Sequence, residues 1–150
     1  MTDRELLELI YQDEIAGISS LIDTYSALIY NMVSQVLSSV GTDDDAEECV
    51  ADSFMAFYNN IDDVDLERAD IKGYLSVLAK RRAINLYYTI KPDADAAFDE
   101  YTVEEMSDVL EKETVQPDSE LSQRIKKLCL KEIAPGKVLE KEAVSEETED

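Results

Sequence analysis

An all-α fold is predicted by three observations. Apolar residues recur at three- and four-residue spacing in four segments of the first ninety residues. No segment alternates apolar and polar residues convincingly at period two. The interruptions at Gly41, at Asp62 to Asp70 and at Lys91-Pro92 are helix stops and a polar loop. The predicted organisation is a small helical bundle over residues 1–91, an acidic linker over 92–118, a short helix over 119–134 and a charged, disordered tail over 135–150.

Each element has a local cause. Asp3 is placed to cap a short first helix carrying Leu6, Leu7, Leu9 and Ile10. A longer helix is expected from about Ile15 to Ser39. There Ile18, Leu21, Ile22, Tyr25, Leu28, Ile29, Met32, Val33, Val36 and Leu37 fall at helical spacing. Gly41 is the expected residue just past its end, where a left-handed backbone suits glycine. Thr42 or Asp43 caps a third helix that runs to about Ile61. A fourth starts near Asp70 or Ile71 and runs to about Ile90, because Pro92 disfavours helix at Lys91. Residues 93 to 118 set ten acids among few large apolar side chains. A weak helix at Val103 to Glu111 competes there with an acidic linker, and the linker is favoured. The last helix spans about Ser119 to Ile133, with Leu121, Ile125, Leu128 and Cys129 on one side, and Ala134-Pro135-Gly136 stops it.

Composition narrows the function. The 150 residues suit one domain with appendages or two very small domains. Lys and Arg number 14 against 35 Asp and Glu, a net charge of −21. Such a chain repels bare nucleic acid and anionic membrane, so any DNA contact is local or delivered by a larger partner. No apolar run is long enough to span a bilayer, and the N-terminus lacks a signal-peptide pattern. Cys49 and Cys129 read as reduced, partly buried thiols of a cytoplasmic protein. The chain has no His, which removes most zinc sites and His-based proton transfer. It also lacks the Gly-rich phosphate-binding patterns. The run Asp43-Asp44-Asp45 lies at a helix start, where carboxylates serve the macrodipole. Neither catalysis nor a cofactor is indicated.

Two helices carry the chemistry. On the third, Ala46, Val50, Ser53, Phe54, Phe57 and Ile61 share one narrow sector, an ordinary core stripe. Glu48, Asp52, Met55 and Asn59 lie opposite. A large apolar side chain flanked by carboxylates is a docking-surface candidate, although the pattern also fits a solvated acidic face with one Met. The fourth helix reverses the charge: Lys72, Lys80, Arg81, Arg82 and Lys91 occur with no acid between Ile71 and Lys91, interleaved with Tyr74, Tyr87 and Tyr88. Cations and rings in alternation suit a single-stranded nucleic acid. On charge alone a helix that balances acidic neighbours in its own bundle is slightly favoured, because Tyr74 and Arg82 lie towards the Ile71-Leu75-Leu78 core sector.

In this order, the acidic helix, polar loop and basic-aromatic helix resemble region 2 of bacterial RNA polymerase sigma factors, the extracytoplasmic-function (ECF) type most closely. The related pattern D-A-E-D-x-V-Q-E-x-F-x-x-x-W is met by Asp45, Ala46, Glu47, Glu48, Val50, Asp52, Phe54 and Tyr58, identically or by close replacement. The next pattern, F-R-A-W-L-x-x-I-A-R-N-x-A-I-D, falls in step with Ile71, Lys72, Gly73, Tyr74, Leu75, Leu78, Ala79, Lys80, Arg82, Ala83, Ile84 and Asn85. Glu5-Leu6-Leu7 and a helix with Tyr25, Leu28 and Ile29-Tyr30 extend the likeness to roughly residues 3–91. Ala51 stands where the pattern has Gln, and Ile71 where it has an aromatic.

The resemblance implies a helical bundle of the region 2 type and a non-enzymatic role. It implies docking on the clamp helices of the polymerase largest subunit through Glu48, Asp52, Met55 and Asn59, with Asp45 and Glu47 at the edge. The loop from Asp62 to Asp70 would hold an unstacked base of the promoter minus-ten element. The non-template strand would be contacted by Lys72, Tyr74, Lys80, Arg81, Arg82, Asn85, Tyr87, Tyr88 and Lys91. An anti-sigma factor is a further partner the resemblance allows, and a membrane is not. ECF sigma factors carry a second, helix-turn-helix domain, for which the residues after Ser119 leave too little chain. The expectation is either a fragment or a protein built on the polymerase-binding half. The alternative function is a regulatory module that docks on polymerase, or on a sigma or anti-sigma partner, without reading a promoter.

Overall fold

Side-chain caps set most helix starts. In the computed structural model, which describes residues 1–133, the helices are α1 (Asp3–Gln12), α2 (Glu14–Leu37), α3 (Asp43–Asn59), α4 (Ile71–Ile90), α5 (Val103–Val109) and α6 (Ser119–Leu130). A single 3-10 turn, Ile61–Asp63, follows α3. All regular structure among the described residues is helical. Thr42 caps α3 through a reciprocal capping box with Asp45, and Asp70 caps α4 by accepting the Gly73 amide at 2.8 Å. Of the predicted termination at Ala134-Pro135-Gly136 and the tail at 135–150, everything lies outside the described residues.

Two end residues differ from expectation. Thr2, not Asp3, caps α1, through a capping box with Glu5. Both residue types cap well, and Asp3 is engaged elsewhere. Its carboxylate accepts the Tyr25 hydroxyl and the Ile71 amide, each at 3.0 Å. Gly41 closes α2 without a left-handed backbone. The turn Ser38–Val40 ends the helix instead, with the Leu37 carbonyl taking the amides of Val40 at 3.0 Å and Gly41 at 2.8 Å.

The core sits between α2, α3 and α4, which pack on one another in pairs. Ile18, Leu21, Ile22 and Ile29 of α2, Phe54 and Phe57 of α3, and Ile71 and Leu75 of α4 are all fully buried. α1 packs on α2, and the corner between them is tight. A Cβ on Gly17 would lie 2.4 Å from the Ile10 Cα. α6 fills the angle between α2 and α3, burying Leu121, Ile125 and Cys129 in the same core. Asp23 of α2 anchors it, taking the Lys126 ammonium at 2.8 Å and the Ser122 hydroxyl at 2.5 Å.

The acidic-linker expectation is corrected over residues 103–110. There α5 forms and docks on α4, because Met106 (2% exposed) and Leu110 (7%) find Val77 of α4 and make a small second core. Ser107 seats the contact by donating to Asp70 Oδ1 at 2.8 Å and accepting the Asp70 amide at 3.1 Å. No helix among the described residues is long and apolar enough to cross a membrane.

Candidate functional site

The outer surface of α3 is a narrow acidic stripe. Its core sector, Ala46, Val50, Ser53, Phe54 and Phe57, is buried as the periodicity requires, and Ile61 in the turn beyond is buried with it. Glu48, Asp52 and Asn59 are exposed, while Asp45 and Glu47 are half-buried. Met55 departs from expectation: it is only 8% exposed and belongs to the core. The cause is α6. Glu47, Ala51 and Met55 form one i, i+4, i+8 row on the flank of α3. α6 covers that row: Arg124 pairs with Glu47 at 2.9 Å, and the Cys129 thiol donates to the Ala51 carbonyl at 3.5 Å. The stripe is therefore carboxylate and amide, without an apolar centre.

Beside it lies a cleft of about 460 Å³ whose walls include Glu48 and Asp52 of α3, Arg82 and Asn85 of α4, and Lys131 and Glu132 after α6. Arg82 and Asn85 thus face the acidic stripe. Burial, reinforced by the Asp52 carboxylate, pushes the Cys49 thiol in this wall up to about 11.

A second cleft, about 190 Å³, opens where the Asp62–Asp70 loop meets α4. Phe57 and Asn60 of α3, Asp63 and Val64 of the loop, and Tyr74, Val77, Leu78 and Arg81 of α4 surround it, with Val103 of α5 as one wall. Tyr74 holds the loop in place. Its hydroxyl accepts the Asp65 amide at 3.0 Å and donates to the Asp65 carbonyl at 3.2 Å. The cleft offers an apolar floor, an aromatic ring and an exposed guanidinium at the rim.

The remaining α4 residues singled out by sequence are spread around the helix. Lys72 donates to the Glu113 carbonyl at 3.1 Å, and the Lys80 ammonium sits 4.9 Å from the centre of the Tyr101 ring. Tyr87 and Tyr88 meet Phe98 edge-on at 5.1 and 6.1 Å, and the Tyr88 hydroxyl donates to the Ala96 carbonyl. Lys91 is exposed at the end of the helix.

Compared with protein families, the chain matches the model of sigma-70 region 2 over residues 21–89. The core of this chain resembles sigma-factor region 2. No curated protein and no solved structure gives a significant match. The matched span holds α2 from Leu21 onward, all of α3 and the loop, and α4 up to Thr89, and therefore both clefts' principal walls. Asn60 and Val103 line the loop cleft and were missed by sequence reasoning, whereas Asp63 and Val64 lie in the loop singled out for the base. Asn60 carries no periodic signal, and Val103 lies outside the region 2 match.

Proposed function

We propose that the protein is a sigma-like transcription initiation factor of the ECF type. The α3 stripe of Asp45, Glu48, Asp52 and Asn59 docks on the clamp helices of RNA polymerase core, an Arg-rich surface by family likeness. Carboxylates on a rigid helix suit such a partner through charge-assisted hydrogen bonds. The loop cleft holds an unstacked base of the minus-ten non-template strand. Tyr74 supplies a ring beside the base, and Arg81 a cation for phosphate. One observation carries this reading: the region 2 match spans an exposed acidic helix and an apolar-floored, aromatic cleft in the expected order.

The test has two stages. Glu48→Lys with Asp52→Lys is expected to weaken capture by polymerase core at least about tenfold, with unchanged helicity. Equal capture by a folded double variant removes the docking assignment. Bound to core, the wild-type chain is expected to prefer a single-stranded minus-ten oligonucleotide over a scrambled strand, and Arg81→Glu to lose that binding. Absence of any preference favours the second reading, a regulatory module that docks on polymerase without reading a promoter. Two observations support that alternative: the net charge of −21, and the occupation of Lys72, Lys80, Tyr87 and Tyr88 by the chain itself.

A further inference from the structure

The residues after α4 turn back and lie along it. Between Pro92 and Glu113 they carry nine carboxylates and one cation, Lys112, against the five cations and no acid of α4 and Lys91. Their contacts engage α4 cations and rings of the kinds that a nucleic-acid strand would use. The Tyr101 ring lies on the Lys80 ammonium, Phe98 meets Tyr87 and Tyr88 edge-on, and the Glu113 carbonyl oxygen takes Lys72. Val103 reaches the loop cleft itself. The approach depends on Gly73, since a Cβ there would lie 2.1 Å from the Ser107 hydroxyl and 2.9 Å from the Val103 carbonyl.

We propose that residues 93–113 are an autoinhibitory strap, occupying the nucleic-acid face of α4 and displaced when a strand binds. The role rests on the promoter reading proposed above. The strap is built to come away. Its two buried anchors, Met106 and Leu110, belong to the small second core, and half-buried Phe98 touches the main core only at its edge, so lifting the strap leaves the buried packing of α2, α3 and α4 in place. Like charge keeps a strand and the strap from sharing the face, so occupation by one excludes the other.

Two full-length variants test this without changing net charge. Gly73→Ala inserts a methyl under Ser107 and Val103, and Met106→Ser with Leu110→Ser removes the apolar anchors. Hydrogen exchange is expected to show lost protection over residues 102–110 in both, with α2 and α3 unchanged. Fluorescence anisotropy with a labelled oligothymidylate is expected to show roughly tenfold tighter binding at low salt. The dependence of log Kd on log salt should steepen by about 1.4, as Lys72 and Lys80 each take a phosphate at about 0.7 per contact. Protection lost with affinity unchanged, while Arg81→Glu still weakens binding, overturns the strap and leaves the promoter reading standing. If no variant binds, either free or on polymerase core, and Arg81→Glu changes nothing in either setting, the nucleic-acid role of α4 falls and the strap with it. Retained protection in both variants shows that these residues do not hold the strap, and also overturns it.

Discussion

Cys49 and Cys129 are held as neutral thiols. Burial is the main cause in each, aided by Asp52 for Cys49 and by Glu132 and Asp52 for Cys129, and it lifts them to about 11 and about 12 from an ordinary value of 9.0. Above about pH 9 the unfolded chain ionises its thiols while the folded chain keeps them protonated, so the two thiols make stability fall as pH rises, to about 11 for Cys49 and about 12 for Cys129. Denaturant melts at about pH 7 and about pH 10 should show that loss, and a variant with both cysteines replaced by Ala should have a flatter profile. In native protein near neutral pH, iodoacetamide should modify neither thiol at an appreciable rate until the chain is unfolded. Phe54 is fully buried, and Phe54→Ala is expected to cost about 3–5 kcal/mol in a denaturant melt. The Ser26 and Ser76 hydroxyls, also buried, have no hydrogen-bond partner among the described residues. Ser76→Ala should therefore be neutral or stabilising by melting temperature, since it removes a polar group that burial penalises. A clear loss would show that the hydroxyl has a partner.

At the scale of the element, α2, α3 and α4 were legible because each repeats apolar residues over several turns and has a good capping residue before it. The start of α1 was ambiguous because Thr2 and Asp3 are adjacent and equally able to cap, and only the tertiary structure gives Asp3 its partners. α5 was hard to read because four apolar side chains among many acids carry too little periodicity, yet two of them are enough once Val77 is opposite. The face of α6 could be read, but periodicity does not say what a face will meet. That is why Met55 looked like a surface residue, and why the α3 stripe is narrower than its sequence suggested. The α1–α2 corner gives a direct test. Gly17→Ala places a Cβ against Ile10 backbone atoms, which have little room to move, and should cost about 1–3 kcal/mol by denaturant melt. The better helix propensity of Ala returns at most about 1 kcal/mol. Stability at or above wild type would mean that α1 is loosely held.

Over the whole molecule, two cores of unequal size imply two levels of stability. The main core joins five helices, whereas the second rests on Val77, Met106 and Leu110 with a few half-buried neighbours. Native-state hydrogen exchange should therefore show the amides of α5 opening well before those of α2, α3 and α4, and simultaneous exchange would contradict the division. The net charge of −21 adds a second expectation: the free protein should bind duplex DNA weakly even where α4 is accessible, because the polyanion meets a polyanion.

The carboxylate of Asp3 reaches the Ile71 amide across 68 residues of sequence. A chain leaves the ribosome N-terminus first, so the first helix is made long before the residue that fixes it. Until Ile71 emerges, Asp3 has Tyr25 as its nearer partner, and the final seating of α1 awaits the start of α4. The same geometry bears on how the protein is handled. A fusion joined at Met1 begins one residue from the Thr2 capping box and two from the carboxylate that steadies α4, so an N-terminal tag is the addition most apt to disturb the helix assigned to DNA.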